Sequence, residues 1–235
     1  MYKVALDSVG ELEFTTRDDV FYPTGTSSAL IEAFRKYPSK PGKLLDLGCG
    51  TGVVGVALSK LGLIQKPFFA SDLSVSAADL TAQNARIHGC EVVAKAGPLY
   101  EPWVGERFDV ILDDVSGIAE EVARVSPWFK NVSCSSGPDG ADLVVSVIED
   151  APRHLNPGGR LFFPVLSLSS ETRILQSAQK MFRVVERLLR KTWPLPDEMK
   201  EHTDLLRSLK GKGHIHFEEK FGMLLWHTDV YVAHD

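Results

Sequence analysis

Cysteine is scarce in this 235-residue chain: Cys49, Cys90 and Cys134 are odd in number and show no C-x-x-C spacing, so neither a disulfide framework nor a zinc cluster is expected. No apolar run approaches the roughly 18 residues of a membrane span. The start, Met1-Tyr-Lys-Val-Ala-Leu-Asp7, lacks the apolar core of a secretory signal. A basic excess is missing too. The formal net charge of -5 supplies no global field for drawing in nucleic acid, although a local patch stays possible. These absences predict a soluble, cytoplasmic protein. What is present is 44% apolar and 24% charged residues, enough for one α/β core with appendages and too little for two large domains. A single domain over 1–235 is the expectation.

Residues 2–6, a turn through Asp7-Ser8-Val9-Gly10 and the alternating Glu11-Leu-Glu-Phe14 predict an N-terminal hairpin outside the main sheet, and Ala29, Leu30, Ile31, Ala33 and Phe34 a helix over 27–36. Residues 1–40 thus pack on a core in which strands alternate with helices: strands at 43–47, 68–72, 91–96, 108–113, 160–165 and 183–189. Among the helices, one is opened by Ser76-Ala-Ala-Asp79, and another is capped by Asp139 and limited by Pro152. The pattern implies a parallel, doubly wound sheet covered on both faces. Its ending differs. An insertion at 194–213 precedes strand material at 214–218 and 223–233 with no full crossover helix, so the last strand is expected to run antiparallel.

The most informative stretch is Lys43-Leu-Leu-Asp-Leu-Gly-Cys-Gly-Thr-Gly-Val-Val-Gly-Val-Ala-Leu58, a buried-strand run that passes into glycines and then into a helix. Gly48, Gly50 and Gly52 let a ligand approach bare backbone, Cys49 fills the turn, and the helix start offers unpaired N–H groups. Gly50-x-Gly52-x-x-Gly55 also satisfies the dinucleotide pattern. Charge separates the candidates. Asp46 would repel a pyrophosphate at the helix start, whereas S-adenosyl-L-methionine has no phosphate and carries a sulfonium and an ammonium that a carboxylate stabilises. Asp72, at the end of the next strand, suits both ribose hydroxyls of either nucleoside.

Asp46-Leu-Gly-Cys-Gly-Thr-Gly52 resembles the first motif of the class I methyltransferases. Val20-Phe-Tyr-Pro-Thr-Gly-Thr26, Ala70-Ser-Asp-Leu-Ser74, Gly137-Pro-Asp-Gly-Ala-Asp142 and Ala151-Pro-Arg-His-Leu-Asn-Pro-Gly-Gly-Arg-Leu161 are similar to segments of the subgroup that methylates amide or exocyclic amine nitrogens. That subgroup includes the glutamine methyltransferases of release factors, and the likeness covers roughly residues 19–167. The resemblance implies a three-layer, Rossmann-like α/β sheet of seven strands, S-adenosyl-L-methionine as cofactor held with help from Leu73 and Leu99, and a nitrogen acceptor on a protein, RNA or small molecule. Two departures stand out: Asp113-Asp-Val-Ser116 replaces Asn-Pro-Pro-Tyr, and Pro98 replaces an acid that holds the adenine amine.

Asp113 is expected either to accept a substrate proton or to cap the following turn. His214-Ile-His216 on a strand, completed by His227 or Asp229, is weighed as a metal site, with solvated histidines preferred. Trp128-Phe129 is expected to pack on the core rather than wall a pocket, and Lys210-Gly-Lys-Gly213 to be a substrate flap or a surface loop. An NAD-dependent oxidoreductase and a non-catalytic partner subunit remain the rival functions.

Overall fold

A computed structural model of the chain describes residues 1–6, 9–37 and 40–235. In chain order the elements are β1 (Tyr2–Leu6), β2 (Gly10–Phe14), α1 (Gly25–Lys36), β3 (Leu44–Leu47), α2 (Val53–Lys60), β4 (Phe68–Asp72), α3 (Val75–Ile87), β5 (Val92–Ala96) and β6 (Phe108–Asp113). There follow α4 (Glu120–Val125), α5 (Asp142–His154), β7 (Leu155–Leu166), α6 (Glu171–Met181), β8 (Val184–Pro194), α7 (Thr203–Gly211), β9 (Glu218–Lys220) and β10 (Met223–His234).

β1 and β2 form a separate antiparallel hairpin whose inward residues Val4, Leu6, Leu12 and Phe14 are buried, as alternation requires; its turn residues Asp7 and Ser8 lie outside the described residues. The main sheet has the order β5-β4-β3-β6-β7-β10-β8, parallel from β5 through β7. β10 runs antiparallel to both β7 and β8. Seven strands with the last one reversed match the expectation, and short β9 adds to β10 as an eighth. The strand order reverses between β3 and β6, so a crevice opens at their carboxyl ends, where ligands bind in sheets of this kind.

Each face of the sheet has its own core. Leu30 and Phe34 of α1 with Val54 and Leu58 of α2 cover one face, and Val144 and Ile148 of α5 with Ile174 and Ala178 of α6 cover the other. A third cluster joins two segments that read as separate excursions: Ile118 and Val122 after β6 pack with Met199, Leu206, Leu209, Phe217 and Trp226. The 194–213 insertion is therefore anchored over the carboxyl end of the sheet. Lys210, at the end of α7, donates to the Phe217 carbonyl at 2.7 Å.

Local differences from the sequence reading have local causes. Ser74, not Ser76, caps α3, its hydroxyl accepting the Ala77 N–H at 3.3 Å. α5 runs through Pro152 to His154, because the missing N–H falls in the last turn, where little helix remains to be broken. Asn156-Pro-Gly-Gly159 belongs to β7 as an irregularity against β6, with Gly158 at φ +74°. His214-Ile-His216 is not part of a strand.

Candidate active site

The glycine loop owes its shape to backbone that other residues resist. Gly48, Gly50 and Gly52 all have positive φ, at +74°, +51° and +77°. A Cβ on Gly48 would lie 2.8 Å from the Asp114 carbonyl oxygen, and one on Gly52 2.9 Å from Thr81. Gly50 differs: a Cβ there would meet only the Phe21 carbonyl oxygen, at 3.8 Å, because its outer side faces open space. α3 holds the loop from behind, since the Thr81 hydroxyl lies 3.1 Å from the Gly50 carbonyl and the Asn84 side chain donates to the Thr51 carbonyl at 2.9 Å. Asn84 also exchanges hydrogen bonds with the Thr15 backbone, tying the hairpin exit to the cradle. Nothing in a single sequence marks Thr81 or Asn84, because helix spacing alone does not say which loop a helix supports.

This loop forms one wall of a cavity of about 520 Å³, bordered by Gly48, Cys49, Gly50, Asp72, Leu73 and Leu99 among the residues singled out from sequence. Asp72 sits at the tip of β4. Its Oδ2 accepts the Gly50 N–H at 3.0 Å and its Oδ1 the Ser74 N–H at 2.9 Å, so each oxygen keeps capacity for one more donor on the cavity side. Burial raises its pKa. Leu73 is exposed at the rim, and Leu99, held at φ +43°, faces it from the loop after β5. Cys49 is buried, takes a hydrogen bond from Thr81, and has its thiol pushed well up by burial.

Two acids fall elsewhere than expected. Asp46 does not border the cavity: it is fully buried and its Oδ2 accepts the Gly55 N–H at 3.0 Å, satisfying an orphan donor in the first turn of α2 that Gly52 has no side chain to cap. Its Oδ1 has no partner among the described residues, and burial, with Asp114 nearby, pushes the carboxyl up to about 8. The strand pleat turns Asp46 behind the loop, so it is not the anion in front of the cradle. Asp113 is likewise fully buried and away from the cavity. Its Oδ1 accepts the Val115 N–H at 3.1 Å, which is the turn-capping alternative, and burial raises it to about 8. The next residue takes the place expected for it: Asp114 borders the cavity and accepts the Ser27 hydroxyl at 2.7 Å. Burial pushes Asp114 up to about 7, Ser27 opposes the rise, and Asp113 and Asp72 add to it.

The electrostatic character survives this exchange. Asp19, Asp72 and Asp114 border the cavity, and among the described residues no Lys, Arg or His does. A pyrophosphate would meet three carboxylates without a cation, whereas a sulfonium nucleoside would meet glycine backbone, an acid with acceptor capacity to spare and a favourable field. The residues fit that group.

The aromatic pair Trp128-Phe129 both packs and walls. Phe129 lies 4.9 Å from Phe21 between ring centres, Trp128 lies 5.4 Å from Trp226, and Phe21, Trp128, Phe129 and Trp226 all border the cavity. The histidine candidates do not assemble as expected. Glu171, His227 and Asp229 converge instead, with His227 Nε2 at 2.9 Å from Glu171. Arg190 already grips both Asp229 oxygens at 2.6 Å, and Arg187 adds a third contact at 3.3 Å. His214 and His216 lie outside that group.

A parallel sheet with a reversed last strand, a glycine cradle after β3 and an acid at the tip of β4 give the chain the fold of the class I S-adenosylmethionine-dependent methyltransferases. Sequence comparison narrows the class: residues 11–114 match the family described as methyltransferase small domain. A release factor glutamine methyltransferase of Geobacter sulfurreducens is 30% identical over 158 residues, covering 64% of this chain and 54% of the relative. One from Cereibacter sphaeroides is 34% identical over 163 residues, covering 65% and 56%. The chain spans about half the length of these curated relatives. Among solved structures, the Thermus thermophilus 16S rRNA N2 G1207 methyltransferase in complex with AdoMet and guanosine shares the fold at a TM-score of 0.63 and 15% identity, covering 100% of this chain and 50% of that one. A ribosomal protein L11 methylase of Lactobacillus delbrueckii subsp. bulgaricus does so at 0.56 and 16%, covering 92% and 82%. In the described residues no helix is long and apolar enough to cross a membrane.

Proposed function

We propose that this chain transfers a methyl group from S-adenosyl-L-methionine to a nitrogen of a protein acceptor, in the cytoplasm. One observation carries the reading: the glycine cradle and Asp72 adjoin Asp114, at the carboxyl end of a central strand, in a single anionic cavity. When bound, the cofactor supplies a methyl on a sulfonium, an electrophile with a neutral thioether as leaving group. Gly48 and Gly50 would give it bare backbone, Asp72 would take the ribose hydroxyls, and Leu73 and Leu99 would cover the base; Gly52, expected from sequence to bind as well, lies off the cavity against Thr81 and shapes the turn instead. Asp46 acts one step removed, by holding the start of α2.

With so good a leaving group, the chain's task is to place the nucleophile about 3 Å from the methyl and to keep water out. Asp114 orients the acceptor nitrogen, steadied by Ser27. The aromatic surface of Trp128, Phe129 and Trp226 excludes water and takes over the stacking role that Pro-Pro-Tyr would have filled. The release-factor relatives, and a ribosomal protein uL3 glutamine methyltransferase of Bradyrhizobium diazoefficiens at 30% identity over 159 residues, carry protein glutamine in their names, which supports a protein acceptor here.

Calorimetric titration with S-adenosylmethionine, S-adenosylhomocysteine and NAD tests the cofactor. The two sulfur nucleosides are expected to bind and NAD not to; tight NAD binding with the others ignored overturns the reading. Transfer of labelled methyl to protein pools by the purified chain then separates an enzyme from a non-catalytic subunit.

A further inference from the structure

We infer that the nitrogen this site methylates is a basic aliphatic amine, held against the wall formed by Trp128, Trp226 and Trp193 and delivered to Asp114. The inference rests on the methyl-transfer reading and names the acceptor within it.

Three observations converge. The first is charge. With Asp72 committed to the ribose, Asp114 and Asp19 remain on a cavity that, among the described residues, no Lys, Arg or His borders. A second cavity, of about 490 Å³, shares Thr24, Trp128 and Trp226 with the first, and its one lysine, Lys200, is already 2.7 Å from Asp197. A cationic acceptor therefore finds uncompensated anions and no competing cation.

The second is the wall between the two cavities. Trp226 stands 5.4 Å from Trp128 and 5.2 Å from Trp193 between ring centres, tilted by 53° and 39°, so the three indoles form one continuous cluster. Indole faces attract an ammonium or its alkyl stem. Trp226 is also nearly fully buried, yet its Nε1 has no acceptor among the described residues. Buried indole N–H groups ordinarily have one.

The third is the side chain at the nucleophile. An amide nitrogen needs only a hydrogen-bond acceptor, which Asn provides; a protonated amine must first lose a proton to expose its lone pair, and that calls for a carboxylate. Asp114 is faced by Asp113 on β6, Asp72 from β4, Asp46 from β3 and the Ser27 hydroxyl from α1. Burial, with Asp113 and Asp72 adding to it and Ser27 opposing, keeps its proton affinity near neutrality, where a general base is most useful. The ammonium gives one proton to the Asp114 carboxylate. Its freed lone pair forms the C–N bond as the methyl carbon parts from sulfur, the electron pair of the broken bond stays on the now neutral thioether, and Asp114 returns its proton to solvent.

Tryptophan fluorescence of the full chain saturated with S-adenosylhomocysteine, which cannot react, reads the site without turnover. The probes are n-butylamine, a lysine peptide, a glutamine peptide and adenosine. Both amines are expected to give saturable quenching, weakened about five- to tenfold by Trp226→Phe or Trp128→Phe, while glutamine and adenosine give none. Tighter binding of the peptide than of butylamine assigns the amine to a polypeptide; equal binding assigns it to a small molecule. Saturation by glutamine or adenosine alone overturns the inference. In single-turnover methylation of the lysine peptide, Asp114→Asn is expected to slow transfer about 100-fold at neutral pH and to abolish its rise with pH, at unchanged S-adenosylhomocysteine affinity. An unchanged rate and pH profile overturns it too. Loss of S-adenosylhomocysteine binding by the unmodified chain would instead sink the methyl-transfer reading itself, which keeps the two failures apart.

Discussion

Replacing Asp72 by Asn probes the proposed cofactor site at an acid that was singled out from sequence and that borders the cavity. In the native arrangement each carboxylate oxygen receives one backbone N–H, from Gly50 at 3.0 Å and Ser74 at 2.9 Å, and retains one lone pair toward the cavity. Asn keeps an oxygen for one of these amides but turns an NH₂ toward the other, so one loop contact is lost. It also removes the charge and one of the two acceptors offered to the ribose. A hydrogen bond to a charged group contributes about 1.5–3 kcal/mol. Loss of one such bond and weakening of the second corresponds to an affinity drop of about 10- to 100-fold, at roughly 1.4 kcal/mol per factor of ten. Calorimetric titration with S-adenosylhomocysteine, which lacks the sulfonium charge, isolates the ribose contribution, and a thermal melt of the same variant reports how much of the loss is loop disorder. Affinity within about twofold of the parent, in a variant whose melt is also unchanged, would refute the assignment.

Other perturbations have equally definite outcomes. Gly48→Ala should cost about 2 kcal/mol or more in chemical denaturation and abolish nucleoside binding, because the new Cβ meets Asp114 and Val115 backbone at 2.8–2.9 Å at a φ of +74°; a stable, binding variant contradicts the geometry. Gly55→Ala should also destabilise, by about 1–3 kcal/mol, since its Cβ would press into the buried Phe68 ring. Asp46 and Asp113 have folded-state pKa values raised to about 8 by burial, so the native chain holds protons that the unfolded chain has already lost. Stability is then fully present at acid pH and falls as pH rises through about 8; denaturation from about pH 6 to about pH 9 should show this decline, with a shallower slope for Asp113→Asn, and a flat or rising profile is incompatible with it. Asp229→Ala should lower the melting temperature by freeing Arg187 and Arg190 from one nearly buried carboxylate. Added zinc should leave the parent's melt unchanged, because the arginines already occupy that carboxylate.

Much of this protein was legible along the chain. Alternating strands and helices, the glycine run after β3, the acid at the end of β4 and the missing crossover before β10 depend on local patterning, so fold class, the reversed last strand and the cofactor were readable from residue order. What residue order could not supply is the direction in which each side chain points at a strand end. Asp46 and Asp72 look alike as strand-tip acids, yet the pleat turns one into the first turn of α2 and the other into the cavity. Asp113 and Asp114 are neighbours, and a single step in the chain decides that the first caps a turn while the second borders the cavity. The aromatic wall lay furthest from view: Trp128, Trp193 and Trp226 come from a loop, an outer strand and the last strand, and only the packing of the 194–213 insertion over the sheet end brings them together. Short-range pattern determined the elements and the cradle, because backbone conformation and periodic burial are local. The tertiary structure decided the aromatic side of the cavity, because a pocket assembled from distant segments has no signature in any one of them.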